Sequence, residues 1–373
     1  MTDVEYMQHA IRLARKGIYT TDPNPSVGCV IVKDGEIVGE GWHQRAGEGH
    51  AEVNALKQAG DKAKDATVFV TLEPCSHTGK TPPCADALVA AGVKKVIAAM
   101  TDPNPLVSGN GLKKLSDAGI EVGSGLLEAQ ARALNPGFIK RMESGRPFVR
   151  VKMAMSLDGR TAMASGESKW ITSEASRVDV QHLRAQSSAV LTGIGTVLAD
   201  DPSMNVRLTA EELGIEEQLL RQPKRIVLDS QLKMPSKAKI FSVEGDSAGG
   251  ECIVYTAVDA DINTRRAYSV EKINAQDGRL DNGKLDLHQV MKDLADKQVN
   301  LVHVEAGSVL CGALLKNDLV DEIILYMAPH IMGDAAKGLF HLPGLDEMKD
   351  RVELEITDVR SIGRDIRITA KPV

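Results

Sequence analysis

Aromatic side chains make up only 3% of this 373-residue chain, although hydrophobic residues reach 43%. A core with few aromatics is filled by Val, Ile, Leu and Ala, which suits an α/β protein. The length is enough for two domains, each with its own core. An excess of basic charge is also missing. The net charge is −6, which argues against a nucleic-acid partner held by charge, since neutralising phosphates needs a basic face. No run of eighteen apolar residues exists, so no membrane-spanning helix is expected. The five cysteines are odd in number and irregular in spacing, which does not fit a disulfide framework. The start, Met1-Thr2-Asp3-Val4-Glu5, lacks the basic and apolar regions of a signal peptide, so the expected compartment is the cytoplasm. Internal repeats and low-complexity segments are absent.

What is present is a metal-site pattern: His50-Ala51-Glu52, then Pro74-Cys75, then Cys84. One imidazole and two thiolates would hold Zn²⁺ and leave its fourth tetrahedral position to a water whose pKa drops to about 7. Glu52, two residues from His50, is placed as a proton carrier and not as a ligand, the arrangement of a hydrolytic deaminase. An isolated H-x-E triplet is usually solvated helix surface, but its context here is specific. His50 opens an apolar-periodic segment, residues 51–59, that closes at Gly60 and reads as a helix. A strand-like run over 66–72 leads into Glu73-Pro74-Cys75. Pro82-Pro83-Cys84 opens a second helix over 85–91, so Cys84 sits at a helix N-terminus, where the macrodipole favours thiolate.

The rest of the first half alternates between helix and strand. Residues 4–16 form an amphipathic helix. Two strands, 27–32 and 36–41, flank the hairpin signal Lys33-Asp34-Gly35. A helix is expected over 126–142, and the linker candidate is Glu143-Ser144-Gly145-Arg146-Pro147. Domains are therefore expected at 1–145 and 146–373. The second half reads as another α/β unit. Strands are expected at 148–154, 189–192, 225–228, 252–256, 301–305 and 322–327, with a final antiparallel pair at 352–359 and 365–370. An extra surface helix is expected over 209–220.

No G-x-G-x-x-G fingerprint follows a strand in that half, so an ordinary Rossmann dinucleotide site is not expected. Two other Gly-rich turns, Gly193-Ile194-Gly195-Thr196 and Glu305-Ala306-Gly307-Ser308, could present backbone N–H groups to a phosphate. Lys152, Arg184 and Arg207 could hold a phosphate or sugar oxygens. Spacing alone favours plain strand–helix connections at these turns. Cys29, Cys252 and Cys311 read as buried thiols and His77 as a solvated loop residue. His9, His182, His288 and His303 read as structural or surface residues.

Over nearly its full length the chain resembles the bifunctional deaminase–reductase family of riboflavin biosynthesis. The first-half match is Asp22-Pro23-Asn24-Pro25-Ser26-Val27-Gly28, His50-Ala51-Glu52, and Glu73-Pro74-Cys75-Ser76-His77 with Cys84. The eight-residue spacer between the two cysteines, with Ser76-His77-Thr78-Gly79, is longer than the P-C-x-x-C of cytidine and tRNA-adenosine deaminases. The second-half match runs through Val151-Lys152-Met153-Ala154-Met155-Ser156-Leu157-Asp158-Gly159-Arg160, Ser168-Lys169-Trp170-Ile171-Thr172, Asp200-Asp201-Pro202 and Val304-Glu305-Ala306-Gly307.

The resemblance implies a cytidine-deaminase-like three-layer α/β/α domain followed by a dihydrofolate-reductase-like α/β domain. It implies Zn²⁺ and NADPH as cofactors, a phosphorylated pyrimidine as substrate, and a homo-oligomer. Asn24 would contact the pyrimidine. Ala154, Trp170, Thr196, Asp200, Ser230 and the turn Gly307, Ser308, Val309, Leu310, Cys311, Gly312, Ala313 would line the NADPH site. Ser168, Arg184, Met204, Arg207 and Glu305 would line the reductase substrate site, with Lys152 and Asp200 where sugar and nicotinamide meet. Two departures from the family stand out: Met204 in place of a Leu, a swap a core tolerates, and the longer 209–220 segment. Two other readings compete. One is a single-activity zinc nucleotide deaminase with a non-catalytic C-terminal domain, against which Lys152, Asp200 and Glu305 all stand. The other is a zinc-stabilised binding protein, but a structural zinc site fills all four positions with protein ligands.

Overall fold

The computed structural model describes residues 1–77, 82–105, 107–241, 250–261, 264, 269–273 and 283–373. Thr78 and Gly79 of the inter-cysteine spacer lie outside the described residues. Two compact units emerge: residues 1–145 with 215–220, and residues 146–214 with 221–373. Among the described residues no helix is long and apolar enough to cross a membrane. All five cysteines are thiols.

The first unit is built on five strands: β1 (Gly28–Lys33), β2 (Glu36–Trp42), β3 (Thr67–Val70), β4 (Lys95–Ala98) and β5 (Glu121–Ser124). Their order is β2-β1-β3-β4-β5. The first three are antiparallel neighbours and the last three parallel ones. Asp34 and Gly35 both take positive φ, 52° and 84°, the turn geometry that a two-residue hairpin requires. Helix Asp3–Arg15 carries a capping box at Thr2 and Glu5 and buries Tyr6, Met7, Ala10, Ile11, Leu13 and Ala14. That side joins Val30, Ile31, Val68 and Phe69 in one apolar core. The single helix expected over 126–142 is in fact two, Glu128–Arg132 and Pro136–Ser144. Pro136 lacks the N–H that would continue the first helix and instead starts the second.

The second unit holds β6 (Phe148–Ser156), β7 (Arg160–Ala162), β8 (Ala189–Gly193), β9 (Lys224–Leu228), β10 (Cys252–Thr256) and β11 (Ser269–Lys272). It continues with β12 (Leu301–Val304), β13 (Glu322–Ala328), β14 (Lys337–Gly338), β15 (Leu354–Ile362) and β16 (Asp365–Pro372). Nine strands make one sheet, ordered β11-β10-β9-β8-β12-β6-β13-β16-β15. Its members run parallel up to β13, and β16 and β15 are antiparallel. The nearly continuous burial of β8, β9 and β12 is the sequence mark of strands covered on both faces. The expected 209–220 helix is a single turn, Ala210–Leu213, stopped by Gly214 and followed by a short 3₁₀ turn, Glu217–Leu219.

Candidate active sites

His50 occupies the N-cap of helix Ala51–Ala59, in extended conformation, and Glu52 lies in that helix's first turn. At a helix start, residues two apart can both turn toward one place, which mid-helix residues cannot do. Cys75 lies in the loop after β3, and Cys84 is the first residue of helix Cys84–Ala90. The fold thereby brings His50, Cys75 and Cys84 together, with all their donor atoms within 4.8 Å of one another. His50 Nδ1 is 3.7 Å from Cys75 Sγ and 3.2 Å from Cys84 Sγ. Zn–S and Zn–N bonds in a tetrahedron would separate N and S by about 3.5 Å, so the donor set fits a zinc ion.

The two thiols share their protons unequally. Cys75 is pulled down to about 4, chiefly by the hydrogen bond from the Cys84 thiol, with His50 and the Cys84 backbone N–H helping against burial. Cys84 is driven up in turn by that same bond and by burial. Glu52 is buried, and burial raises its pKa to about 7 in spite of His50, a value suited to a group that both takes and gives a proton near neutrality.

Two residues of this site escaped the sequence reading. His43 is buried, and its ring stands edge-on to His50 with centroids 5.1 Å apart. Burial holds its pKa down at about 4, so it is neutral. Nδ1 faces the Gly49 carbonyl at 3.2 Å and therefore carries the proton, which leaves Nε2 to accept from Asn24 Nδ2 at 3.1 Å. The Asn24 amide is thus fixed with its oxygen turned away from His43. Glu73 is the second. Its buried carboxyl accepts backbone N–H groups from Asp102, Gly109, Gly111 and Leu112 at 2.8–3.1 Å, tying the 102–112 loop to the segment that carries Cys75. Neither role has a local sequence signal, because each depends on partners distant in the chain.

In the second unit the candidate residues gather at the carboxyl ends of parallel strands, where α/β sheets bind ligands. Val304 pairs with Val151 and Leu191 pairs with Val304, so Glu305 is level with Lys152 and Thr192. Ala154 lies farther along β6, and Ser230 follows β9. Burial alone would raise Glu305, but Arg184, His303 and Lys152 around it hold its carboxyl well below the ordinary range. Arg184 is buried; it grips Glu305 through Nε and through Nη2 at 3.0 Å, and its Nη1 donates to the Asn205 carbonyl at 2.8 Å. Burial lowers the pKa of Lys152. Asp200 ends helix Ile194–Asp200, which also carries half-buried Thr196, and accepts an ion pair from Lys169 at 3.0 Å.

The remaining candidates divide between surface and core. Trp170 is 71% exposed, with Arg177 stacked 4.7 Å above its ring. Ser168 is half-buried and Arg207 exposed. Met204 is a core residue beside Val190, Val197 and Val227, at φ 55°. It can offer a ligand its backbone, while its side chain fills the interior. Gly307 caps helix Ser308–Lys316 without a side-chain hydrogen bond, which leaves N–H groups suited to a phosphate of NADPH. Val309 is exposed, while Cys311 is buried and its thiol faces the Ala306 carbonyl at 3.4 Å. A Cβ on Gly312 would meet the His341 carbonyl oxygen at 2.2 Å, so that glycine is required for packing.

The chain's first 100 residues match the cytidine and deoxycytidylate deaminase zinc-binding region, and residues 147–368 match the RibD C-terminal domain. The riboflavin biosynthesis protein RibD of Escherichia coli is 50% identical over 370 residues, 98% of each chain. The chain belongs to the RibD family. The RibD of Haemophilus influenzae is also 50% identical, over 99% of this chain and 97% of that protein. An Acinetobacter baumannii RibD structure superposes with a TM-score of 0.89 at 45% identity, covering 100% of this chain and 99% of that one. A Thermotoga maritima structure, described as a diaminohydroxyphosphoribosylaminopyrimidine deaminase and 5-amino-6-(5-phosphoribosylamino)uracil reductase, gives 0.84 at 32% identity, covering 99% and 98%. As a RibD family member, the chain is an enzyme of riboflavin biosynthesis with a zinc-binding deaminase half and a reductase half. The single-activity reading with a non-catalytic second half is not supported.

Proposed function

We propose that the chain acts twice on one phosphorylated pyrimidine in the cytoplasm. First it hydrolyses the 2-amino group of 2,5-diamino-6-ribosylamino-4(3H)-pyrimidinone 5′-phosphate, and then it reduces the ribosyl chain to ribityl with NADPH. The observation that carries the first step is the His50–Cys75–Cys84 cluster with Glu52 buried beside it. Zinc held there by His50, Cys75 and Cys84 would supply a water of lowered pKa. Glu52 takes a proton from the attacking water and passes it to the departing amine, while Asn24, fixed by His43, orients the ring. The C–N bond breaks, the oxygen stays on the ring and ammonia leaves.

In the second step NADPH, when bound, would supply the hydride that C1′ receives. The C1′–O4′ bond opens and O4′ takes a proton. We assign Lys152 and Asp200 to the place where that charge moves, with Glu305 level with Lys152 at the end of the neighbouring strand as a substrate contact; Arg207 suits the remote phosphate. Incubating the protein with the diaminopyrimidinone, with and without NADPH, and weighing the products by mass spectrometry tests both steps. Glu52→Gln should keep the metal and lose roughly 10²-fold or more in deamination rate. Normal deamination by that variant would remove Glu52 from the mechanism.

A further inference from the structure

The segment Ser168-Lys169-Trp170-Ile171-Thr172 follows β7 and leads into helix Glu174–Gln186, which puts it at the carboxyl edge of the parallel strands. Its backbone is tied down on both sides of Trp170. Lys169 pairs with Asp200 at 3.0 Å. Ser173, the N-cap of the helix, is bound by Asp365, the fully buried first residue of β16. Asp365 Oδ2 accepts from the Ser173 N–H and hydroxyl, both at 2.7 Å, and from the Ser176 hydroxyl at 2.6 Å. A carboxylate with three donors is a strong anchor. The Trp170 side chain is held differently. At 71% exposure it has no core packing to fix its rotamer. What lies over its ring is the Arg177 guanidinium, 4.7 Å from the centroid. Arg177 is half-buried on the first turn of the helix, and its Nη1 donates to the Thr172 carbonyl at 2.9 Å. That hydrogen bond orients the guanidinium, and the guanidinium in turn orients the indole.

We propose that Arg177 is a positioning residue for NADPH: it covers one face of the Trp170 indole and sets the opposite face as a platform for a planar ring of the dinucleotide. The proposal rests on the reading that Trp170 lines the NADPH site. An exposed indole without a partner samples several rotamers, and a ligand that stacks on it must first immobilise it. The cation–π contact and the Thr172 hydrogen bond do this ordering before the ligand arrives. Charge acts in the same direction, since a cation behind the ring favours a polyanion in front of it. The backbone does not depend on Arg177, because Asp200 and Asp365 hold the segment on either side. Loss of Arg177 therefore frees the ring and leaves Ser168, assigned to the other substrate, where it is.

Trp42 and Trp170 are the two tryptophans of the chain, so in a Trp42→Phe background Trp170 is the sole indole reporter. Arg177→Met in that background removes the charge and the planar donor, and circular dichroism verifies its fold. Without ligand, the fluorescence anisotropy of Trp170 should fall and its quenching by acrylamide should rise. Binding of NADPH, followed through the indole emission, should weaken about threefold to tenfold, while KM for the deaminated intermediate stays the same. An unchanged anisotropy or an unchanged NADPH affinity overturns the proposal. So does an equal rise in KM for NADPH and for the intermediate, because Arg177 would then only support the segment. Trp170→Leu separates the proposal from the reading beneath it. If that variant keeps its KM for NADPH, Trp170 does not line the site and both fall. If it loses NADPH while Arg177→Met does not, the reading stands and the role of Arg177 alone is refuted.

Discussion

Arg184 and Arg207 are cations of one unit, yet their surroundings give them different work. Arg184 spends its donors on Glu305 and the Asn205 carbonyl, so it shapes the second unit's candidate site by fixing a half-buried carboxylate. Arg207 is exposed and able to meet a phosphate. Arg207→Ala should raise KM for the deaminated intermediate about tenfold or more, the loss of a charge-assisted contact of roughly 1.5–3 kcal/mol, and leave deamination untouched. Arg184→Ala should instead lower stability by about 3 kcal/mol, because half-buried Glu305 would lose its bidentate partner. Steady-state kinetics on each half-reaction, together with denaturant midpoints, separate the two roles, and an unchanged KM in Arg207→Ala would refute the phosphate contact. At this scale the metal cluster was legible because few residue types bind zinc and their spacing is short. The reductase residues could be proposed through family resemblance alone, since a turn such as Gly307–Ser308 would act through backbone that many sequences supply. His43 and Glu73 were not legible at all, since what defines them is a contact far away in sequence.

Asp158 shows what a turn between elements can hold. It follows β6, accepts from the Ser156 hydroxyl and from the Gly333 N–H at 2.8 Å, and thus joins the β6–β7 turn to the 332–333 segment. The Ser156 hydrogen bond leads in holding its pKa at about 2, below the ordinary value of about 3.9. A carboxylate lowered in the folded state adds stability that is complete above the unfolded value and is lost as pH falls through the folded one. The difference in melting temperature between the unaltered chain and Asp158→Asn should therefore be constant from neutrality to about pH 5. It should shrink between about pH 4 and pH 2; a difference that ignores pH in that window would contradict the assignment. Sequence rules served best where one local signal ruled: Asp34-Gly35 marked its hairpin, and Gly60 its helix end. They failed where apolar periodicity ran across a break. Pro136 and Gly214 each divided a segment that had read as one helix.

For the molecule as a whole, two successive reactions imply two centres with separate chemical requirements. The cysteines and histidine of the metal cluster all belong to residues 50–84, and Lys152, Arg184, Arg207 and Glu305 all belong to the second unit. The alternation of helix and strand, broken by Gly145-Arg146-Pro147, is what suggests a division there, whereas the grouping of residues 215–220 with the first unit could not be foreseen from a Glu- and Leu-rich stretch. Removing zinc with a strong chelator should abolish deamination, because the donor atoms of His50, Cys75 and Cys84 would then have no ion to present to water. NADPH oxidation should persist when the deaminated intermediate is supplied directly, since no residue proposed for that step is a metal ligand. Restoring zinc should return deamination. A parallel loss of both activities on chelation would show that the reductase half depends on the metal for its fold, which near-ultraviolet circular dichroism of the chelated protein would register independently of turnover.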